Sequence, residues 1–288
     1  MYEKMLYMGT ESKKRKRVMK ILPDFSFVTR EFPDRPDITI RAIADVHLGA
    51  RECMEKEWEN FCSLILNDPN AYITLGGDLI NNATRSGVSN IFEETMRPRE
   101  QKRRMVEMLK PLAKEGRILC GTDGNHERRS QKDSDGSPMY DIMCKLDLEE
   151  LYRENIAFLR LRFGDNRKSH GSSNPTYVLA VTHGAGGGRL PGAAVNNASR
   201  FGQYFDGIDG LIVAHTHRPF DLPECKIKVD SIANTITQRP FMVLSASSWL
   251  EYGGYPVQKL LPPTATIPQI MTVHGRRKTL EVTNVYNF

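Results

Sequence analysis

The chain has no apolar run long enough to cross a bilayer. Its longest, such as residues 211–214 and 241–244, fall far short of the roughly 20 residues that a spanning helix needs. Its N-terminus lacks the apolar stretch and small-residue cleavage site of a secretory signal, carrying charge from Glu3 onward and a basic run at residues 13–17. These absences point to a cytoplasmic protein with no membrane partner. Cysteine pairing is missing too. Cys53, Cys62, Cys120, Cys144 and Cys225 are odd in number, widely spaced and without a CxxC pair, which argues against a disulfide framework or a zinc–thiolate site. There is no GxxxxGKS or GxxxxGKT phosphate loop, no internal repeat and no low-complexity tract.

What remains is a chain of 288 residues, 40% apolar and 26% charged, enough to bury one substantial core. The net charge of +5 owes much to residues 13–17, a run that can assist polyanion binding but is more often a solvated tail. Residues 1–37 mix charges with Pro23, Pro33 and Pro36 and show no periodicity, so they read as an N-terminal extension ahead of one domain over 38–288. From Ile38 a theme recurs: a short apolar run ends in a polar, glycine-containing loop, and a helical pattern often follows. The runs are 38–44, 72–75, 117–120, 177–181, 211–214 and 241–244, with helices expected over 56–66, 98–114 and 139–152. Residues 266–285 alternate around His274-Gly275 and read as a hairpin closing a sheet edge. The pattern implies an α/β sandwich.

Polar residues capable of chemistry fall just after these runs, where strand ends share a rim. Asp45-Val46-His47 follows the first, and strand alternation would point Asp45 and His47 to one side. Gly76-Gly77-Asp78 follows the second, with Asp78 placed to offer two oxygens to two cations. Gly124-Asn125-His126-Glu127 follows the third and supplies an amide oxygen beside an imidazole able to donate a proton. Thr182-His183-Gly184 follows the fourth and His215-Thr216-His217 the fifth, where alternation again aligns two imidazoles.

The order DxH, GGD, GNHE, HG and HxH resembles the signature of the calcineurin-like metallophosphoesterase superfamily, over residues 38–220. That resemblance implies a two-sheet β-sandwich flanked by helices, with residues beyond Phe220 finishing the second sheet. It implies that Asp45, His47 and His217 hold one metal and Asn125, His183 and His215 the other, with Asp78 bridging both. It implies that His126, oriented by an acidic partner such as Asp45, protonates the leaving group. Two cations about 3.5–4 Å apart can clamp phosphate oxygens and acidify a bridging water, which gives hydrolysis without a covalent intermediate. The nitrogen and oxygen donor set leaves manganese, iron, zinc, cobalt and nickel open and suits magnesium less, with manganese the preferred expectation.

Superfamily protein phosphatases carry an arginine where this chain has Asn82. An uncharged amide there suits a singly charged diester better than a dianionic monoester, so a phosphodiesterase acting on nucleotide-type substrates is the favoured expectation. Arg128, Arg129 and Arg85 are further candidates for substrate contact, and the glycine-rich 184–192 segment reads as a mobile loop able to lie over the metals. A DNA-processing nuclease is the second reading, since compact members resembling this chain in motif spacing are carried by bacteriophages and prophages. A phosphomonoesterase, a protein phosphatase or a non-catalytic scaffold completes the alternatives.

Overall fold

The computed structural model describes residues 22, 24–85, 87, 90–164, 174–188 and 190–285. The basic run at 13–17, His170 and Arg189 lie outside the described residues. Apolar alternation sets the first strands: β1 (Phe27–Phe32) and β2 (Asp37–Ile43), the latter burying Ile38 and Ile40 on one face and Ile43 on the other. Helix α1 (Glu55–Asn67) follows, with Trp58, Phe61, Cys62 and Ile65 recurring at helical spacing on its buried side. Strand β3 (Ala71–Leu75) and, after helix α2 (Pro98–Lys114), strand β4 (Ile118–Thr122) are buried at every position, as central parallel strands covered on both faces should be.

Helices α3 (Glu127–Ser134) and α4 (Pro138–Lys145), and strands β5 (Tyr152–Arg153), β6 (Ile156–Phe163) and β7 (Thr176–Thr182), come next. The remainder is α5 (Pro191–Gln203), β8 (Gly210–Val213), β9 (Phe220–Asp230), β10 (Thr235–Ser245), α6 (Gly254–Gln258), β11 (Gln269–His274) and β12 (Leu280–Asn284). They form two mixed six-stranded sheets, ordered β1-β6-β7-β8-β10-β9 and β12-β11-β2-β3-β4-β5. One cluster of buried side chains spans both: Ile38, Ile73 and Leu75 from one sheet share it with Leu159, Leu161 and Leu179 from the other. This is the expected two-sheet α/β sandwich with flanking helices. Among the described residues no helix is long and apolar enough to cross a membrane.

Several boundaries differ from the sequence reading. Phe27–Phe32, ahead of Ile38, is an edge strand paired in parallel with β6. The helix expected over 139–152 stops at Lys145, because Asp147 adopts a left-handed backbone (φ 57°) and Leu148 N–H donates back to Met143 O at 2.9 Å. A 3-10 turn, Glu149–Leu151, then leads into β5. The long β9–β10 hairpin was not anticipated as a unit. Pro223 and Pro240 interrupt its pattern, and a proline lacks the N–H that a strand interior needs.

Trp58 is fully buried and packs edge-on against Trp249, ring centroids 5.3 Å apart, joining α1 to the segment after β10. Trp58→Ala should lower the unfolding free energy by about 3–5 kcal/mol, measured by urea denaturation. An unchanged midpoint would contradict the packing described.

Candidate active site

The ends of β2, β3 and β4 in one sheet and of β7 and β8 in the other open onto the same rim. Small side chains let these ends approach: Ala44, Ala214 and Ala246 form a buried patch beneath the rim, and a Cβ on Gly76 would meet Ala44 Cβ at 3.2 Å. The loops after β2 and β3 run side by side, with Asp45 N–H donating to Gly77 O (3.1 Å), His47 N–H to Asp78 O (3.0 Å) and Leu48 N–H to Leu79 O (3.0 Å).

Strand alternation does not aim the ligand-type residues. β2 ends at Ile43 and β8 at Val213, so Asp45, His47, His215 and His217 all lie beyond the strands. Each has a left-handed backbone, with φ of 52°, 50°, 73° and 56°. Asp78 (51°) and Asn82 (44°) share this conformation. Asp, Asn and His tolerate it better than most side chains, and such strain gathers at functional sites.

The result is two adjoining clusters. In one, Nε2 of His47 and of His217 lie 3.2 Å apart, and Asp45 Oδ1 lies 3.3 Å from His217 Nε2 and 3.7 Å from His47 Nε2. In the other, Asn125 Oδ1 sits 2.9 Å from His183 Nε2 and 2.7 Å from His215 Nδ1. Asp78 Oδ2 faces both, 3.3 Å from His183 Nε2 and 4.0 Å from His47 Nε2. Only this one oxygen is shared. Asp78 Oδ1 instead accepts the His126 N–H at 2.8 Å, so a single oxygen, rather than the expected two, looks toward the clusters.

These donors suit divalent cations. Asp45 Oδ1 is buried with no hydrogen-bond donor, and it faces the ring nitrogens of His217 and His47. His183 gives its Nδ1–H to Gly76 O at 2.8 Å, which turns Nε2 to the cluster; against the opposing effect of burial, Asp78 raises the ring's pKa to about 9, so a cation bound there would displace the Nε2 proton. The carboxylates stay ionised. Burial opposes the Asp78 charge, but the protonated His183 beside it, 3.3 Å from Oδ2, holds its carboxyl below the usual range. Asp45 is depressed likewise against burial, chiefly by His217.

His126 meets a different partner from the one expected. Its Nδ1 donates to Asn81 O at 2.6 Å rather than to Asp45, and its Nε2 lies 2.8 Å from Arg129 Nη2 and 3.8 Å from Asp78 Oδ2. Burial, then the neighbouring His47, pushes its pKa down to about 3, so the ring is neutral. Of the residues expected at the substrate, Arg129 lines the cavity over the clusters, as do Gly186, Gly187 and Gly188 of the glycine-rich loop. Asn82 does not: it is 2% exposed, and its amide donates to His126 O (2.7 Å) and Ser130 Oγ (2.9 Å). Arg128 turns toward Asp123 O (3.5 Å), and Arg85 is exposed away from the cavity lining.

Two residues were missed by sequence reasoning. Glu127, fully buried, accepts N–H groups from Asp78 (2.8 Å), Leu79 (2.9 Å) and Gly124 (2.9 Å). Gln101 accepts Asn82 N–H at 2.9 Å and donates to Glu94 Oε2 at 2.5 Å. Glu127 lay in view inside the third motif. Gln101 carried no signal beyond being a polar residue in line with Met105, Met108 and Leu112.

A sequence profile described as calcineurin-like phosphoesterase matches residues 38–219. The chain belongs to the calcineurin-like phosphoesterase family. Its members are metal-dependent phosphoesterases, and the matched span of this phosphoesterase holds all seven cluster residues and His126. A comparison with curated proteins finds no match. Among solved structures, Vps29 of Chaetomium thermophilum is 10% identical, covering 86% of this chain and 95% of that one at a TM-score of 0.34, too slight a likeness to bear on the site.

Behind the clusters, fully buried Asp123 accepts hydrogen bonds from Ser137 Oγ (2.7 Å) and Gln131 Nε2 (2.9 Å). Burial raises its pKa from 3.8 to about 6. Between those values the folded chain holds a proton that the unfolded chain has released, so stability falls as pH rises through the window and then levels. With metal removed by chelation, Asp123→Asn should flatten that slope. Parallel urea midpoints at pH 4.5 and 6.5 for both proteins would contradict this assignment.

Proposed function

We propose that this chain is a phosphodiesterase that uses two divalent cations to cleave nucleotide-type phosphodiesters. In this reading Asp45, His47 and His217 hold one cation, Asn125, His183 and His215 the second, and Asp78 touches both. The observation that carries it is the single buried oxygen, Asp78 Oδ2, standing between two clusters of ring nitrogens and oxygens. Manganese is the preferred metal; iron, zinc, cobalt and nickel offer the same preference for imidazole and carboxylate. Bound there, such a pair supplies charge neutralisation for phosphate oxygens and a water of lowered pKa.

The chain's own residues account for the rest. Arg129 reaches over the rim with its guanidinium beside His126 and takes a non-bridging phosphate oxygen. His126, anchored through Nδ1 to Asn81 O, presents Nε2 to the departing oxygen. It is neutral without substrate. An arriving phosphate anion draws Arg129 away from Nε2 and favours the protonated ring, since a nearby opposite charge raises a histidine's pKa.

The diester preference no longer rests on Asn82, whose amide is committed internally. It is supported instead by the cavity over the clusters, which leaves space for a second ester substituent beside the phosphate. The cavity over the clusters, about 550 Å³, has room for a nucleoside beside the phosphate.

Protein stripped and reloaded with manganese should hydrolyse bis-p-nitrophenyl phosphate in preference to p-nitrophenyl phosphate. A monoester preference would reverse the diester assignment, and inactivity on both with metal bound would remove the catalytic one. His126→Ala should keep its metal, unlike Asp78→Asn, yet lose at least about 100-fold in rate on esters with poor leaving groups. Equal rates for His126→Ala and wild type on such esters would exclude the acid role.

A further inference from the structure

The cavity is larger than a phosphate requires, and its far side is unlike its floor. The floor is the histidine and carboxylate rim. The far side is built by the segment after β10, where Leu250, Tyr252, Pro256, Leu261 and Pro262 line the space. This wall is braced. Tyr252 Oη donates to Leu261 O at 2.7 Å, and Leu261 N–H donates to Pro256 O at 2.9 Å. Its base is pinned to the loop that carries His47: Met54 N–H donates to Trp249 O (2.9 Å), Glu251 N–H to Glu52 O (2.9 Å), and Leu250 bridges to Cys53. An apolar surface is therefore held at a fixed place relative to the metal-type ligands.

The charges around the mouth are mixed. Glu52, Glu93, Glu94 and Glu251 stand among Arg51, Arg129 and Arg218. Arg129 lies at the rim, beside His126. A polynucleotide lying across this opening would bring its flanking phosphates against carboxylates, whereas polyanion grooves present a continuous basic track. A flat group bearing amino or hydroxyl donors meets no such penalty.

We infer that the 250–262 wall is a subsite for the ester substituent of a small diester with one phosphate and a flat, uncharged aryl or nucleobase group, and that it selects against polynucleotides. This rests on the phosphate binding at the clusters proposed above. The physical driver is burial of a planar apolar face against Leu250, Leu261 and the prolines, with the glutamates as acceptors for donors on the ring edge.

The test is calorimetric titration of the manganese-loaded protein with diphenyl phosphate, dimethyl phosphate and a short oligothymidylate. Diphenyl phosphate should bind at least about tenfold more tightly than dimethyl phosphate, or about 1.4 kcal/mol. Leu261→Ser should reduce that ratio to under roughly threefold, and Pro262→Ser provides a second variant on the exposed rim should the first fail to fold. Equal affinity for the two diesters, no binding of either, or tighter binding of the oligothymidylate would overturn the inference. Turnover of bis-p-nitrophenyl phosphate separates the two questions. No turnover with the aryl preference intact removes the phosphodiesterase reading and leaves the subsite; turnover without the preference removes the subsite alone.

Discussion

Two loops from neighbouring strands must hold Asp78 and His126 in one fixed relation, and the Glu127 carboxylate is what fixes it. Its two oxygens accept three main-chain N–H groups, from Asp78, Leu79 and Gly124, so the ends of β3 and β4 are joined through one buried carboxyl group. The geometry leaves no slack. A Cβ on Gly77 would meet Gly124 N at 2.2 Å, and one on Gly124 would meet Asp78 Oδ1 at 2.0 Å. Both glycines are required by this approach, and Gly77 also by its φ of 85°. Burial, with Asp78 and Asp123 nearby, raises the Glu127 pKa to about 8. The three donors stabilise the charged form against that pressure, as hydrogen bonds to a carboxylate do.

From this tie the rest of the rim follows. Asp78 Oδ1, positioned by the Glu127 contact to its own N–H, accepts the His126 N–H, which leaves Oδ2 directed at the clusters. The Asp78 carbonyl accepts the His47 N–H, carrying the constraint into the loop after β2. Asp45, on that loop, accepts the His215 N–H through Oδ2 at 3.0 Å and so reaches the other sheet. A chain of main-chain to carboxylate contacts thus runs from Glu127 through both sheets. The left-handed residues along it are strained conformations, worth about 1–3 kcal/mol each where fully disfavoured, and they persist because each is held from both sides.

The sequence made the clustered polar residues legible because their residue types do two jobs. Asp, Asn and His are the side chains that bind cations and also those that accept a left-handed backbone, so DxH, GGD and HxH mark both the chemistry and the bend. The strands were legible for an equally direct reason: β3 and β4 are apolar at nearly every position, and β2 alternates from Asp37 to Arg41. What stayed hidden were choices made by tertiary contact. Nothing local says that Asn82 folds inward onto Ser130, that Arg128 and Arg129, adjacent in sequence, part toward Asp123 and toward His126, or that His126 leans on a carbonyl instead of Asp45. The β9–β10 hairpin was obscured because Pro223 and Pro240 sit in strands whose partner residues, Met242 and Cys225, are far along the chain.

In the proposed reading, the placement of Arg129 would explain how a histidine so strongly biased toward neutrality could act as the acid. Helix α3 begins at Glu127, so Arg129 sits within its first turn, and its side chain lies against the His126 ring. While it stays there, the burial of the site, then His47, and after them the arginine's own charge keep Nε2 unprotonated. An anionic phosphate competes for the same guanidinium. When Arg129 turns to the phosphate, Nε2 loses a donor and gains a negative neighbour, and both changes favour taking up a proton. In that reading substrate arrival and arming of the acid would be one event, because the side chain that lies against His126 Nε2 is the one that would take the phosphate.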